Sequence, residues 1–575
     1  MRRATRFWTL LIALLLAAAF LLLHQPAGLA QAPEAGWLVT GFVHDKQGTA
    51  VQNAQVSLLA KGVTEPLAQA LTQSDGRFTL VLTDEPPADL TIAVTREHFK
   101  GLDLPLDAAA VKTLQANRSL VLPDVTLLRR ISLSFWIATL IFIAMLVLIA
   151  LGKLHNTLAA LLSATMIFAF SYLGRPISQE LYIFDFSGAL KYVDWNVIFL
   201  VMGMMIVIAT VERTGIFQWL AFSAYKLSGG RIWLLMPILM IITGVASAFL
   251  DNVTTMLLMT PITIQIALAM GLNPLVLLMP EVLSSNISGI STLVGTPTNI
   301  LIGSYGKISF NNFLTNLTPG VLLALVGLIL YTEYIYRKGL RLEQEEGISN
   351  LLLDKLAERA RITEPVHLMK AGVVGACMLV LFITGETFHL LPAVTALMGA
   401  TALLVWIRPN IEEMIEAVDW TTLVFFIALF IVVGAVQEVG MISYIADGIG
   451  RLIGGNLLLG VLAVTWLSAL LSMVIANIPF TAAMLPVIGY LTATVPGAQS
   501  KVLFYCLSVG SAMGGNGSLI GASANMITAG IAERAGYPIS YTHFMKKGLP
   551  ALFITVGLAS LWLILRFIVF HSTGL

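Results

Sequence analysis

From Ile131 to the end of the chain, apolar runs of about 18–25 residues follow one another with short breaks. A helix of about 20 apolar residues spans the hydrocarbon core of a bilayer. The runs fall near 131–152, 156–174, 194–211, 274–303 and 316–336, then near 367–386, 390–407, 420–438, 502–530 and 548–570. Two longer stretches, 232–270 and 457–495, are cut near the middle by polar residues and read as re-entrant hairpins. Composition agrees: 57% of the 575 residues are hydrophobic and 11% are charged, against about 25% charged in a soluble domain. A net charge of +1 argues against a nucleic-acid partner. Cys377 and Cys506 both lie in apolar runs and read as small core residues, with no disulfide frame or metal site.

The membrane region is written twice. Asn252 and Pro261 recur as Asn477 and Pro486, 225 residues later. Val193-Asp194-Trp195 recurs as Val418-Asp419-Trp420, and Gly215 as Gly440. Gly289, Gly295 and Asn299 recur as Gly515, Gly521 and Asn525, now 226 residues on. Asp194 and Asp419 read as helix N-caps beside interfacial tryptophans. Each copy has five spans and a hairpin that returns to its own side, so the odd count turns the second copy upside down. Inverted repeats with broken helices are the mark of secondary transporters.

The N-terminal region differs. Arg2, Arg3 and Arg6, an apolar run over 7–23, then Gly28 and Ala30 have the order of a secretory signal peptide, with an uncleaved anchor as the alternative. Short alternating runs at Trp37–Val43, Gln55–Leu59, Arg77–Val81 and Leu90–Val94, separated by Gly/Asp turns, read as a small antiparallel β-sandwich. Gly41-Phe-Val-His-Asp-Lys-Gln-Gly48 and Thr72-Gln-Ser-Asp-Gly-Arg-Phe78 are similar to a carboxypeptidase regulatory-like domain, a structural or binding module. His44, Asp75 and His98 read as turn and surface residues. The expected domains are a signal peptide (1–30), an extracytoplasmic β-sandwich (31–128), membrane repeat 1 (129–336), a cytoplasmic linker (337–366) and membrane repeat 2 (367–575). Arg337, Lys338, Arg341, Lys546 and Lys547 then fall inside, as the positive-inside rule asks, while Arg129 and Arg130 disagree.

Four interruptions carry the chemistry. Two are the hairpin tips at 251–255 and 476–480; two are the Gly/Ser/Asn-rich windows 284–299 and 508–525. Backbone can leave the helix at membrane depth only inside protein or beside a water-filled cavity. Freed carbonyls suit a cation, and amides at a half-helix start suit an anion. The candidate ligands are Asp251, Asn252, Thr254, Asn286, Gly295, Thr296 and Asn299 in the first repeat, and Asn477, Thr481, Asn516, Gly521, Ser523 and Asn525 in the second. Close helix packing through small residues is the competing account of any single glycine or serine. An acid at membrane depth costs about 2.5–3.5 kcal/mol or more, so Asp251 is a functional candidate. Glu281 is the other acid, placed near a segment start where capping would also explain it.

Ala248-Phe-Leu-Asp-Asn-Val-Thr-Thr255, Glu281-Val-Leu-Ser-Ser-Asn-Ile287, Asn477-Ile-Pro-Phe-Thr-Ala482 and Gly514-Gly-Asn-Gly-Ser-Leu-Ile-Gly-Ala-Ser-Ala-Asn525 resemble the ion transporter superfamily. The branch is that of arsenite pumps, D-type Na+/H+ antiporters and the melanosomal P protein. The resemblance spans about residues 190–550. It implies one ion site, suited to Na+, from Asp251, Asn252 and Gly295, a second from Asn477 and Gly521, substrate between them, and a homodimer in the bilayer. Two departures stand out: Ala476 replaces the Asp of the second tip, and Gly295-Thr-Pro-Thr-Asn299 lacks the branch's acidic residue.

These readings together describe an all-α polytopic membrane protein preceded by a small all-β sandwich. The expected function is cation- or proton-coupled secondary transport of a small anion or oxyacid, arsenite-like or carboxylate. It needs Na+ or H+ as coupling ion and no further cofactor, and it is not an enzyme. A Na+/H+ antiporter is the alternative, followed by an anion channel and by a receptor whose β-domain binds the ligand. No Gly-x-x-x-x-Gly-Lys-[Ser/Thr] motif is present, which argues against a self-contained ATP-driven pump and leaves a partner ATPase open.

Overall fold

The computed structural model describes residues 36–46, 48, 50–60, 65–337 and 360–571, in two compact units, 1–130 and 131–575. The expected signal peptide, Lys338 and Arg341 lie outside the described residues.

In the first unit, β1 (Trp37–Asp45) pairs antiparallel with β4 (Arg77–Leu82) and parallel with β7 (Ser119–Val121) and β8 (Val125–Leu127). A second sheet runs β3 (Ala68–Leu71), β2 (Gln55–Ala60), β5 (Leu90–Thr95), β6 (Leu102–Pro105). The period-two pattern puts Val39, Val43, Val56, Leu58, Phe78, Leu80, Ile92 and Val94 into one core, with α1 (Ala108–Asn117) against it. Asp75 accepts a bond from the Arg77 amide (3.0 Å) and His98 sits at a left-handed turn, so both are turn residues. Arg129 belongs to this unit: it lies 3.7 Å from the buried carboxylate of Asp45 and stacks on Phe99.

In the second unit, repeat 1 comprises α2 (Leu133–Ala150), α3 (Asn156–Gly174), α4 (Phe186–Leu190), α5 (Trp195–Glu212), α6 (Ile216–Ser228), the hairpin arms α7 (Ile232–Phe249) and α8 (Asn252–Ala269), α9 (Leu275–Ser288), α10 (Pro297–Gly306) and α11 (Phe310–Tyr336). Repeat 2 follows with α12 (Pro365–Thr384), α13 (Pro392–Ile407), α14 (Ile411–Glu416), α15 (Trp420–Glu438), α16 (Met441–Ile453), the hairpin arms α17 (Leu457–Ser472) and α18 (Asn477–Thr494), α19 (Val502–Gly514), α20 (Ser523–Arg534) and α21 (Tyr541–Ile564). The expected N-caps form: Asp194 accepts from Asn196 N (3.0 Å) and Asp419 from Thr422 N (3.0 Å).

The repeats exchange contacts in matched pairs. α3 packs on α15 and α5 on α13; α8 packs on α20 and α10 on α18. The equivalent spans α11 and α21 lie side by side and antiparallel. Lys547, near the start of α21, sits over the ring of Tyr336 at the end of α11, while Trp562 and Arg566 reach Asn316 near the start of α11. That antiparallel pair is the inversion the span count implies, and it brings Arg337, Lys546 and Lys547 to one end. The hairpin arms are 18, 18, 16 and 18 residues long. Whether such arms cross or stop midway, a hairpin returns the chain to the side it left, so the inversion survives.

Three features differ from the sequence reading. The 13-residue helices α6 and α16 were not anticipated; each starts at a left-handed glycine, Gly215 (φ 77°) and Gly440 (φ 91°), which explains why those glycines recur. Cys506 is buried as expected, but Cys377 is exposed on α12. Glu281 caps nothing: it lies in the middle of α9 with no exposed surface.

Candidate functional site

The first hairpin tip is closed by its own side chains. Leu250 is extended, and Asp251 caps α8 by accepting from the amides of Val253 (2.9 Å) and Thr254 (3.0 Å). Thr254 Oγ1 donates to the other carboxylate oxygen (2.5 Å). The capping bonds fix the direction of the carboxyl. Asn252 Nδ2 donates to Asn286 Oδ1 on α9 (2.8 Å).

The first break has a short helical turn over Gly289–Ser291, an extended Thr292, and α10 restarting at its N-cap Thr296, which accepts from Asn299 N (3.2 Å). Gly295 packs where no side chain fits. A Cβ there would run into the carbonyl oxygens of Gly289, Ser247 (2.7 Å) and Ala248 (2.8 Å). The carbonyl oxygens of Gly289, Ser247 and Ala248 thus pack against the Gly295 backbone at a distance that only glycine admits. Thr292 Oγ1 bridges tip and break, donating to the Ala248 carbonyl and accepting from the Gly295 amide.

The two break asparagines have a bracing role. Asn299 Nδ2 donates to the carbonyls of Ile290 (2.9 Å) and Thr292 (2.8 Å), and Asn525 Nδ2 to those of Gly515 (2.8 Å) and Ser518 (2.9 Å). Each amide satisfies two carbonyls that the unwound backbone has freed, which is how a break survives away from water. Their oxygens are occupied too: Ser508 donates to Asn299 (2.5 Å) and Asn286 to Asn525 (2.9 Å). Asn286 also donates to Asn516 (2.9 Å), so Asn252, Asn286, Asn516 and Asn525 form one buried chain from the first tip to the second break. Ser508 and Thr292 had not been singled out as candidates. Thr292 was findable, because it recurs as Ser518, which makes the same bonds to Met473 O (2.5 Å) and from Gly521 N (3.0 Å).

The second tip is open. Ala476 has no side chain to cap α18, and the first amides of that helix have no side-chain partner. Asn477 is the first residue of α18, and Thr481, one turn on, is fully buried with its hydroxyl unpartnered among the described residues. At Gly521 the three atoms nearest a would-be Cβ all belong to Gly515, its carbonyl oxygen among them (2.9 Å), whereas at Gly295 two of the three are hairpin carbonyls. Ser523 opens α20 and is half-buried. The structure thus gathers Asp251, Asn252, Thr254, Asn286, Gly295, Thr296 and Asn299 at one end of the polar chain. Asn516, Gly521 and Asn525 stand at the other end, beside the second tip.

A family profile described as citrate transporter matches residues 146–501. An uncharacterized transporter of Mycobacterium tuberculosis is 35% identical over 434 residues, 75% of this chain and 99% of that protein. The human P protein is 32% identical over 504 residues, which cover 74% of this chain and 59% of the P protein. An uncharacterized transporter of Synechocystis is 31% identical over 445 residues, 73% of this chain and 95% of that one. Among solved structures, the YdaH transporter of Alcanivorax borkumensis superposes with a TM-score of 0.47 at 13% identity, covering 77% of this chain and 98% of that chain. With more than half its length matched by the profile, the chain belongs to the citrate transporter family, and it is a multi-pass membrane transporter.

Proposed function

We propose that the protein is a cation- or proton-coupled secondary transporter that carries a small anion or oxyacid, a carboxylate or an arsenite-like species, across the cell membrane with its β-domain outside. The observation that supports this most is the difference between the tips. One carries the Asp251 carboxyl and packs its Ser247 and Ala248 carbonyls against Gly295 of the facing break, oxygens of the kind that suit a cation. The other presents an uncapped helix start with Asn477 and an unpartnered Thr481, a set of neutral donors for an anion. Coupling arises if the anion binds the shared polar chain best when the first tip is charge-neutralised by its cation.

Purified protein in proteoliposomes tests the reading. Uptake of citrate, succinate and arsenite is measured under separate Na+ and pH gradients. Saturable, concentrative uptake of at least one under one gradient is expected; failure of all three under both gradients overturns the reading. A Na+/H+ antiporter is the second reading, favoured by two acids in repeat 1, half-buried Asp251 and buried Glu281. It predicts that Na+ alone collapses a preset pH gradient with no anion present.

A further inference from the structure

Glu281 lies outside the tip site, and the transport reading above gives it no role. It sits midway along α9 with no exposed surface. Thr243 of α7 donates to one carboxyl oxygen at 2.7 Å. The other oxygen has no partner among the described residues. Thr263 of α8 lies near the same carboxyl, and its hydroxyl has no partner among the described residues. One acid is thus enclosed by both arms of the first hairpin, with two polar atoms left open there.

The elements packed on α9 offer no counter-charge in contact. α7 and α8 carry no titratable residue. α11 carries Tyr331, Glu333, Tyr334 and Tyr336; α19 carries Tyr505 and Cys506; α20 carries Glu533 and Arg534; α21 carries Tyr541, His543, Lys546 and Lys547. No hydrogen bond or ion pair joins any of these to Glu281 among the described residues. An unpaired carboxylate buried this way is expensive, whereas a carboxylic acid has a proton to give to Thr263. A metal ion fits poorly. Two carboxyl oxygens and two hydroxyls fall short of the six or so oxygens that hard cations such as Mg2+ and Ca2+ take.

The site is also wired to the break. Glu281, Ser284, Ser285 and Ser288 share one face of α9 at helical spacing. Ser285 Oγ donates to Ser247 Oγ (3.0 Å), and Ser288 Oγ is buried and unpartnered. Ser247 supplies one of the carbonyls around Gly295. A change of charge at Glu281 is therefore felt by the α7–α9 contact that shapes the cation cluster.

We infer that Glu281, between Thr243 and Thr263, is a proton-binding site of the first hairpin, separate from the cation cluster at Asp251. The inference rests on the transport reading for its consequence, but not for its chemistry.

Two measurements keep them apart. The first needs no substrate. Purified protein is treated with dicyclohexylcarbodiimide, which attacks protonated carboxyls in apolar surroundings, and the adduct is located by mass spectrometry. Modification at Glu281 that fades as pH rises is expected, with Asp251→Asn leaving it intact and Glu281→Gln abolishing it. No adduct at Glu281 at any pH, in protein shown folded by its melting curve, overturns the inference. The second uses the proteoliposomes. Glu281→Gln should lose pH-gradient-driven uptake by about tenfold or more while substrate counterflow stays near wild type, and Glu281→Asp should recover part of it. A wild type that transports with Glu281→Gln equally responsive to the pH gradient overturns the inference and leaves the transport reading standing. An adduct at Glu281 without any anion uptake does the reverse.

Discussion

The two hairpins share a fold and differ in what closes their tips. In the first, Asp251 caps α8 and three carbonyls crowd Gly295. In the second, Ala476 caps nothing and the atoms nearest a would-be Cβ at Gly521 are those of Gly515. Duplication supplied both scaffolds, including the paired bracing bonds of Asn299 and Asn525. Two acids of the first copy have no counterpart in the second, since Asp251 is answered by Ala476 and Glu281 by Leu507. The tips therefore differ in kind: a carboxyl stands at the first and only neutral groups stand at the second.

The strongest way to break this contrast is Asp251→Asn. The amide oxygen still accepts from Val253 and Thr254, so the cap and the fold persist while the charge goes. Uptake driven by the coupling cation should fall by about tenfold to a hundredfold, measured as the ratio of uptake with and without the gradient. Equal ratios for variant and wild type would remove Asp251 from coupling. Next comes Ala476→Asp, which rebuilds at the second tip the cap the first one has. It should stabilise α18 by about 0.5–2 kcal/mol and raise the melting temperature, yet weaken anion uptake, because the new carboxylate occupies the donors. Asn477→Ala should also weaken uptake, with expression unchanged. A second tip indifferent to both changes has no part in binding.

A third test asks whether the braces are equivalent. Asn299→Ala orphans the carbonyls of Ile290 and Thr292, and Asn525→Ala those of Gly515 and Ser518. Each buried group left unpaired costs about 1–3 kcal/mol, so both variants should melt lower in detergent. Asn525→Ala also removes one of the two acceptors of Asn286, which keeps Asn516, and Asn299→Ala removes the acceptor of Ser508, so the two losses should be similar. A clearly larger loss for one variant would mean that the braces are not equivalent.

Spans, breaks and duplication were legible because each leaves a one-dimensional trace: run length, polar interruption, constant spacing. The β-sandwich showed through its period of two. What stayed hidden depends on direction. In an apolar run nothing distinguishes a lipid-facing Cys377 from a buried Cys506, because no polar face marks the outside. Glu281 looked like a cap because hydropathy does not fix where α9 starts; once the helix begins at Leu275, the acid is mid-helix and enclosed. The α6 and α16 helices had a signal, an amphipathic 13-residue stretch between left-handed glycines, but they are shorter than a span. Ser508 on Asn299 joins residues 209 apart, and no local pattern announces such a partner.

The smallest expected effect lies at the surface. Arg213, at the end of α5, donates to Glu413 of α14 (2.7 Å), tying the first repeat to the second. The equivalent end of α15 offers Glu438 instead, and it accepts from Tyr192. The hydrogen bond from Arg213, then that from Asn410, holds the Glu413 carboxyl below its usual range. A lowered folded-state value stabilises the protein above the unfolded value and loses that contribution as pH falls through the folded one. The pair is exposed, and such pairs contribute little. Glu413→Gln should therefore leave uptake unchanged, and the melting curves of variant and wild type should differ slightly at neutral pH and converge in acid. A large drop in uptake would mean that this contact between the repeats is part of the moving machinery, and that the contrast between the halves extends beyond their tips.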